Sequence, residues 1–151
     1  MAEFLILNSV KFNIDVKHPW SGRTAFHWAC AEGNSNIAEM IIQKSTEFNI
    51  DLNAKDKSGR TAFHWACLSG HGTKSSIMEM MLNNGESFKI DFTATDNMGK
   101  TGLQLAEDED GKMRWGRNAN IVNMIKRKME SIAQEEELKN RNKKSMFTST
   151  Y

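Results

Sequence analysis

A nine-residue segment, Gly22-Arg23-Thr24-Ala25-Phe26-His27-Trp28-Ala29-Cys30, returns unchanged 37 positions later as Gly59-Arg60-Thr61-Ala62-Phe63-His64-Trp65-Ala66-Cys67. A third copy, eroded to Gly99-Lys100-Thr101-Gly102-Leu103-Gln104-Leu105-Ala106, follows 40 residues further on. A second marker, Phe-x-Ile-Asp, recurs with nearly the same spacing at Phe12 to Asp15, Phe48 to Asp51 and Phe88 to Asp91. Two independent markers sharing one period establish an internal repeat, and a period in this range restricts the chain to a solenoid or a similar array. In such an array each unit buries its apolar face on its neighbours instead of on a core of its own.

Apolar residues at helical spacing fill the intervals. Ile37, Met40 and Ile41 correspond to Ile77, Met80 and Met81 and then to Ile121, Met124 and Ile125, each an i, i+3, i+4 stripe. Each unit therefore reads as a short helix, a turn, a second helix and an extended loop. The distance from motif threonine to the next stripe grows from 13 to 16 to 20 residues, which places insertions between the two helices of each unit. Ala2-Glu3-Phe4-Leu5-Ile6 aligns with Ala38-Glu39-Met40-Ile41-Ile42, so the chain opens on a second helix whose Phe4, Leu5 and Leu7 form an apolar edge. The expected organisation is an all-α solenoid. Residues 1–14 are the second helix of a truncated unit, and 15–50 and 51–90 are two full repeats. A divergent repeat with an inserted loop occupies 91–132, and a charged helix with a disordered tail from Ser145 occupies 133–151.

These units resemble the ankyrin-repeat family, whose consensus carries Thr-Pro-Leu-His-x-Ala, a Gly-His turn and Asp-x-Asn-Ala-x-Asp. Thr24 to Ala29, Thr61 to Ala66, Gly70-His71 and Asp51 to Asp56 carry the likeness over roughly residues 2 to 130. Alanine or glycine replaces the motif proline in every copy, which accounts for a chain with a single proline, Pro19. In the third unit Gln104 stands for the histidine and Glu107-Asp108-Glu109-Asp110 for the turn, so that unit is expected to be distorted. Thr24 and Thr61 sit where a helix N-cap belongs, and the donor and acceptor nitrogens of His27 and His64 suit them to tie helix to loop. Gly22, Gly33, Gly59, Gly70 and Gly99 read as turn residues needing positive φ.

Several chemistries are weaker readings of the same residues. His27 with Cys30 and His64 with Cys67 give a two-histidine, two-cysteine inventory, but equivalent positions of stacked repeats lie about 8–10 Å apart. Zinc needs its ligand atoms within about 2.0–2.3 Å of one point, and a Cys30–Cys67 disulfide needs Cα atoms closer than about 7 Å. Buried thiols in a reducing compartment are the better reading. Ala94 to Thr101 ends in Gly-Lys-Thr but lacks the first glycine of a phosphate loop and places Asp96 in the cradle. No serine, histidine and acid arrangement stands outside the repeat, and the acidic run 107–110 lacks calcium-loop spacing. We therefore expect no enzyme activity, metal, cofactor or small-molecule substrate.

Composition narrows the partner. Twenty basic against nineteen acidic side chains give a net charge of +1, unlike the marked basic excess of most nucleic-acid binders. No apolar run exceeds four residues, the length of Phe4 to Leu7, which is too short to span a bilayer, and Glu3 stands where a secretory signal would be basic. Ankyrin proteins as a family bind other proteins through hairpin tips and the concave face of the first helices. That resemblance implies a protein-interaction module in the cytoplasm, with partner contacts at Trp20, Arg23, Trp28, Glu32, Lys57, Arg60, Trp65, Ser69, Asn97 and Lys100. Trp20 is the leading hot-spot candidate, and the column Arg23, Arg60, Lys100 favours a partner with an acidic segment. An alternative reading makes the chain a fragment or regulatory domain of a larger ankyrin-containing protein. Lys126-Arg127-Lys128 and Arg141-Asn142-Lys143-Lys144 are readable as a bipartite nuclear signal or, more simply, as a solvated helix face. The resemblance also implies a modification: many ankyrin domains are hydroxylated on a hairpin asparagine, and Asn53 occupies that place, with Lys17 and Thr93 in the other repeats.

Overall fold

A computed structural model describes residues 17–68, 75–107 and 119–148. Among the described residues six helices follow in order: α1 (Ala25–Glu32), α2 (Ser35–Phe48), α3 (Ala62–Leu68), α4 (Ser75–Asn84), α5 (Gly102–Glu107) and α6 (Ala119–Thr148). They form two layers: α1, α3 and α5 pack side by side as inner helices, while α2, α4 and α6 pack in register behind them. Among the described residues the only β-structure is an isolated bridge between Thr95 and Thr101. The orphan first helix, Phe4, Leu5, Leu7, Gly70-His71, Asp108 to Asp110 and Trp115 lie outside the described residues.

Residues 69–74 and 108–118, where the insertions were expected, lie outside the described residues. Two residues, Gly33 and Asn34, separate α1 from α2. Asn34 caps α2 by accepting from the Ile37 N–H at 3.2 Å. The buried face of α2 is Ala38, Ile41, Ile42 and Ser45, and that of α4 includes Ile77, Met78, Met81 and Leu82. Ile37, Met40 and Met80 are only half-buried, so the core-facing stripe is turned by one position from the sequence reading. Helix α6 runs past the core: residues 133–145 are all exposed, and the helix continues to Thr148 where a disordered tail from Ser145 was expected.

The loops between units are hairpin turns stitched one to the next. The Lys57 N–H donates to the Ser21 carbonyl and the Asn97 N–H to the Ser58 carbonyl, both at 3.0 Å. Gly22, Gly33, Gly59 and Gly99 all have positive φ, between 70° and 78°. At Gly59 a second constraint applies, because a Cβ there would stand 2.7 Å from the backbone nitrogen of Asn97 in the next hairpin. The turn glycine is thus required both by its own conformation and by the neighbour's approach.

The third unit departs from the repeat in a coordinated way. Phe92 fills the place of Leu52, and its ring packs edge-on against Phe63 at 5.0 Å. The added volume is met by two losses, Gly85 at the position of Ser45 and Gly102 at that of Ala62. A Cβ on Gly85 would lie 2.2 Å from Phe92, and one on Gly102 would lie 2.7 Å from the Phe63 ring and 3.0 Å from the Cys67 sulfur. Close packing makes such space indivisible. Helix propensity alone favours Gly102→Ala, but the overpacked core predicts a loss of about 1–3 kcal/mol. Urea unfolding should show that loss, and it should shrink in a Phe63→Leu background; stabilisation by Gly102→Ala would refute the packing account.

Candidate functional site

The inner helices begin at a shared device. Thr24, in extended conformation, precedes α1; its N–H donates to His27 Nδ1 at 3.0 Å and its Oγ1 lies 2.8 Å from the same nitrogen. The opposite nitrogen, Nε2, meets the Arg60 carbonyl of the next unit at 2.9 Å. The second repeat reproduces this with Thr61, His64 and the Lys100 carbonyl at 3.1, 2.9 and 3.2 Å. A ring that accepts an N–H at Nδ1 and faces a carbonyl at Nε2 is the neutral tautomer with its proton on Nε2. Burial pushes both histidines below their ordinary value of 6.5, although the carbonyls at Nε2 oppose that shift. In the third unit the Thr101 N–H donates to Gln104 Oε1 at 2.9 Å and the Gln104 N–H to Thr101 Oγ1 at 3.2 Å. Gln104 therefore keeps the helix cap and makes α5 regular at its start, where distortion was expected.

A second device lies at the hairpins. Asp56 Oδ1 accepts from the N–H groups of Ser58 and Arg60 at 2.8 and 3.0 Å, while Oδ2 accepts from Trp65 Nε1 at 3.0 Å. Asp96 repeats the turn contacts with Met98 and Lys100 at 2.9 and 3.0 Å. Each carboxylate also faces the arginine of the preceding unit: Arg23 Nε is 3.8 Å from Asp56, and Arg60 Nε is 3.4 Å from Asp96. Burial would raise the Asp96 pKa, but the Lys100 and Met98 amides and the Arg60 guanidinium outweigh it and hold it below the usual carboxylate value.

The aromatic ladder completes the surface. The Arg23 guanidinium lies 3.6 Å from the Trp65 ring centroid and 4.9 Å from that of Trp28, and Arg60 lies 5.5 Å from Trp65. Trp65 is half-buried between two cations, whereas Trp28 is 41% exposed, with His18 edge-on at 6.3 Å. Trp20 stands at the first hairpin tip and is 84% exposed.

These contacts sort the expected partner residues. Trp20, Trp28 and Glu32 are exposed near the first hairpin and on α1. Arg23 and Arg60 are engaged inside the chain by Asp56 and Asp96, which uses up most of the charge that an acidic partner was expected to meet. Lys57 Nζ donates to the Pro19 carbonyl at 2.8 Å and Asn97 Nδ2 to the Lys57 carbonyl at 2.9 Å, so both tie hairpin to hairpin. Lys100 is half-buried, and Ser69 lies outside the described residues. Asn53 joins two units: its Nδ2 donates to the Lys89 carbonyl and its Oδ1 accepts from the Asp91 N–H, each at 2.8 Å. Cys30 and Cys67 are buried thiols, and burial raises the Cys67 pKa far above the ordinary thiol value. The cross-unit aspartates were missing from the sequence reading of the site. Their signal was Asp56 and Asp96 at one motif position, with Pro19 as the exception.

The family model for ankyrin repeats, in three copies, matches residues 1–96. The chain belongs to the ankyrin-repeat family. No curated protein sequence matches it. Among solved structures, a chain in the crystal structure of the yeast ribosomal protein Rps3 in complex with its chaperone Yar1 is similar: TM-score 0.58, 25% identity, covering 70% of each chain. Ankyrin repeats are, as a family, typically non-catalytic protein-interaction modules. Among the described residues no helix is long and apolar enough to cross a membrane.

Two outcomes follow for the ankyrin stack. A histidine whose pKa is lower in the folded state than in the unfolded chain binds its proton more readily when unfolded. Stability is therefore complete above about pH 7.5 and falls as pH drops through 6.5, by up to about 1.4 kcal/mol per pH unit per histidine. Urea midpoints should decline from pH 7.5 to 5.5, above the window in which Asp91 and Asp96 protonate, and the decline should flatten in His27→Gln; a midpoint independent of pH would refute the neutral bridge. Asp56→Ala strands two turn amides, the Trp65 indole and Arg23, and should cost about 2–4 kcal/mol by the same measurement.

Proposed function

We propose that this ankyrin chain is a non-catalytic module that binds another protein through its hairpin tips and the inner-helix face, centred on Trp20 and Trp28. The observation that carries this reading is the exposure of those two indoles on a scaffold that buries its equivalent Trp65 by half. Large exposed aromatics on a rigid frame are what interface hot spots are made of. Lys57, Asn97 and Lys100 continue the edge along the later hairpins, while Arg23, Arg60 and Trp65 act as its support. The similar Rps3–Yar1 structure, itself a complex of two proteins, supports protein as the partner class. The cytoplasm is the proposed compartment, with the basic clusters of α6 as a nuclear address in the alternative.

Proximity labelling and pull-down with the full chain test this. Trp20→Ala should weaken capture of a specific partner by about tenfold or more with an unchanged unfolding midpoint, whereas Glu39→Ala on the exposed outer face of α2 should leave capture intact. Equal recovery of the same proteins by wild type and Trp20→Ala would sink the proposal.

A further inference from the structure

Asn84-Gly85 is the one Asn-Gly step in the sequence. An asparagine followed by glycine is the dipeptide best able to react with itself, because without a Cβ the glycine nitrogen reaches the side-chain carbonyl carbon with least hindrance. The core dictates that glycine. Gly85 stands at the place of Ser45, and the Phe92 ring, packed edge-on against Phe63, fills the space a side chain would need. The same glycine coincides with an early helix end. Helix α2 continues through Phe48, whereas α4 stops at Asn84, the position of Lys44, and 85–89 are turn. Asn84 thus lies in a terminal helical turn, the kind of segment that opens at least cost.

In the closed turn the side chain is held away from the reaction. Asn84, half-buried, donates from Nδ2 to the Met80 carbonyl at 2.9 Å, which points its amide back along α4, while the Gly85 nitrogen follows in the forward direction. Two further bonds fasten the turn: the Phe88 N–H donates to the Asn84 carbonyl at 3.1 Å and the Ile90 N–H to the Gly85 carbonyl at 2.8 Å.

We propose that Asn84-Gly85 is a self-modification site gated by the last turn of α4, closed in the native stack and converted to aspartate and isoaspartate when that turn opens. Once Asn84 leaves the Met80 carbonyl, the Gly85 nitrogen attacks Asn84 Cγ. The N–Cγ bond forms, the Cγ–Nδ2 bond breaks, and Nδ2 departs as ammonia with the proton given up by the Gly85 amide, leaving a cyclic imide. Water then opens the ring. Cleavage between the Gly85 nitrogen and Cγ gives aspartate; cleavage between that nitrogen and the main-chain carbonyl carbon of residue 84 gives isoaspartate, with a methylene added to the backbone. Water is the sole co-reactant. Neither product restores the closed turn, since both lose the donor to Met80 and both put a carboxylate at a helix C-terminus, where the dipole disfavours it. Isoaspartate also displaces Gly85, against which Phe92 leaves no room. The loss of ammonia makes the change irreversible, so it records how often the end of α4 opens.

The test incubates the full chain in warm neutral buffer, from no urea to fully unfolding urea, beside a capped Leu-Asn-Asn-Gly-Glu-Ser peptide. Peptide mapping that separates asparagine, aspartate and isoaspartate follows residue 84. The unfolded chain should convert as fast as the peptide, and the native chain at least about tenfold more slowly. In urea below the unfolding transition the rate should rise in step with hydrogen exchange of the Ile90 amide. Phe92→Leu, which loosens the turn, should raise the native rate severalfold, and Asn84→Gln, whose longer side chain closes the ring poorly, should abolish acid formation at this position. The converted chain should unfold at lower urea than the unconverted one. Equal rates in the native chain and the peptide would overturn the gate. A residue 84 that stays an amide in the unfolded chain while the peptide converts would overturn the site.

Discussion

The stack depends on a neutral, buried imidazole that is bonded in two directions at once. His27 and His64 are each almost fully buried. One nitrogen of each closes the cap of its own inner helix, and the other reaches the backbone of the next unit. A buried polar ring is tolerable only when both nitrogens are satisfied, because an unpaired one costs about 1–3 kcal/mol. Local helix initiation and the register between repeats are therefore not separate events. A slip of one unit against the next would strand an imidazole and a carbonyl together. This is the nearest-neighbour coupling that lets units without cores of their own stand as one body.

The aspartate and arginine ladder adds direction to that coupling. Each aspartate first fixes its own hairpin through two backbone amides, then faces the arginine one unit back. The exposed arginine column suggested by the sequence becomes an internal seam once the fold brings residues 33 and 36 positions apart into contact. Surface ion pairs are weak, but these carboxylates are nearly sealed from water and carry several N–H donors each, so their loss would expose uncompensated groups. Cation column and aspartate column are one structure seen from two sides.

Much of the fold was legible because it is periodic. Repeated motifs and helical stripes gave the helix pairs. What stayed hidden was what the period does not encode. The one-position turn of the stripe on α2 and α4 follows from where the inner helices sit, which no single helix specifies. The exchange of Leu52 for Phe92, offset by Gly85 and Gly102, joins positions that touch only in three dimensions; read singly, Gly102 looks like motif decay. Gln104 looked like decay as well, yet it keeps the cap and gives up only the reach to a following unit. Lys89, with φ of 54° at the place of Asn49, is a left-handed residue that propensity would not have selected.

At the candidate site the sequence named the right residue types and misjudged which remain available. Arg23, Arg60 and Trp65 look identical in kind to residues that bind partners, but their neighbours have already used them. Trp65 differs from Trp28 in having the carboxylate of Asp56 on its indole N–H, where the first hairpin has Pro19 at the equivalent position. Proline also lacks the N–H that Asp56 and Asp96 donate across their turns, and in the first hairpin the turn bond shifts to His18, whose carbonyl accepts from Gly22 and whose N–H donates to Arg23. The first hairpin is therefore wider by one residue, lifts Trp20 clear of its neighbours, and leaves Trp28 without its carboxylate. The same local change that ends the internal ladder thus exposes its chemistry at the surface, and this makes the first hairpin, and not the cation column, the distinctive face of the molecule.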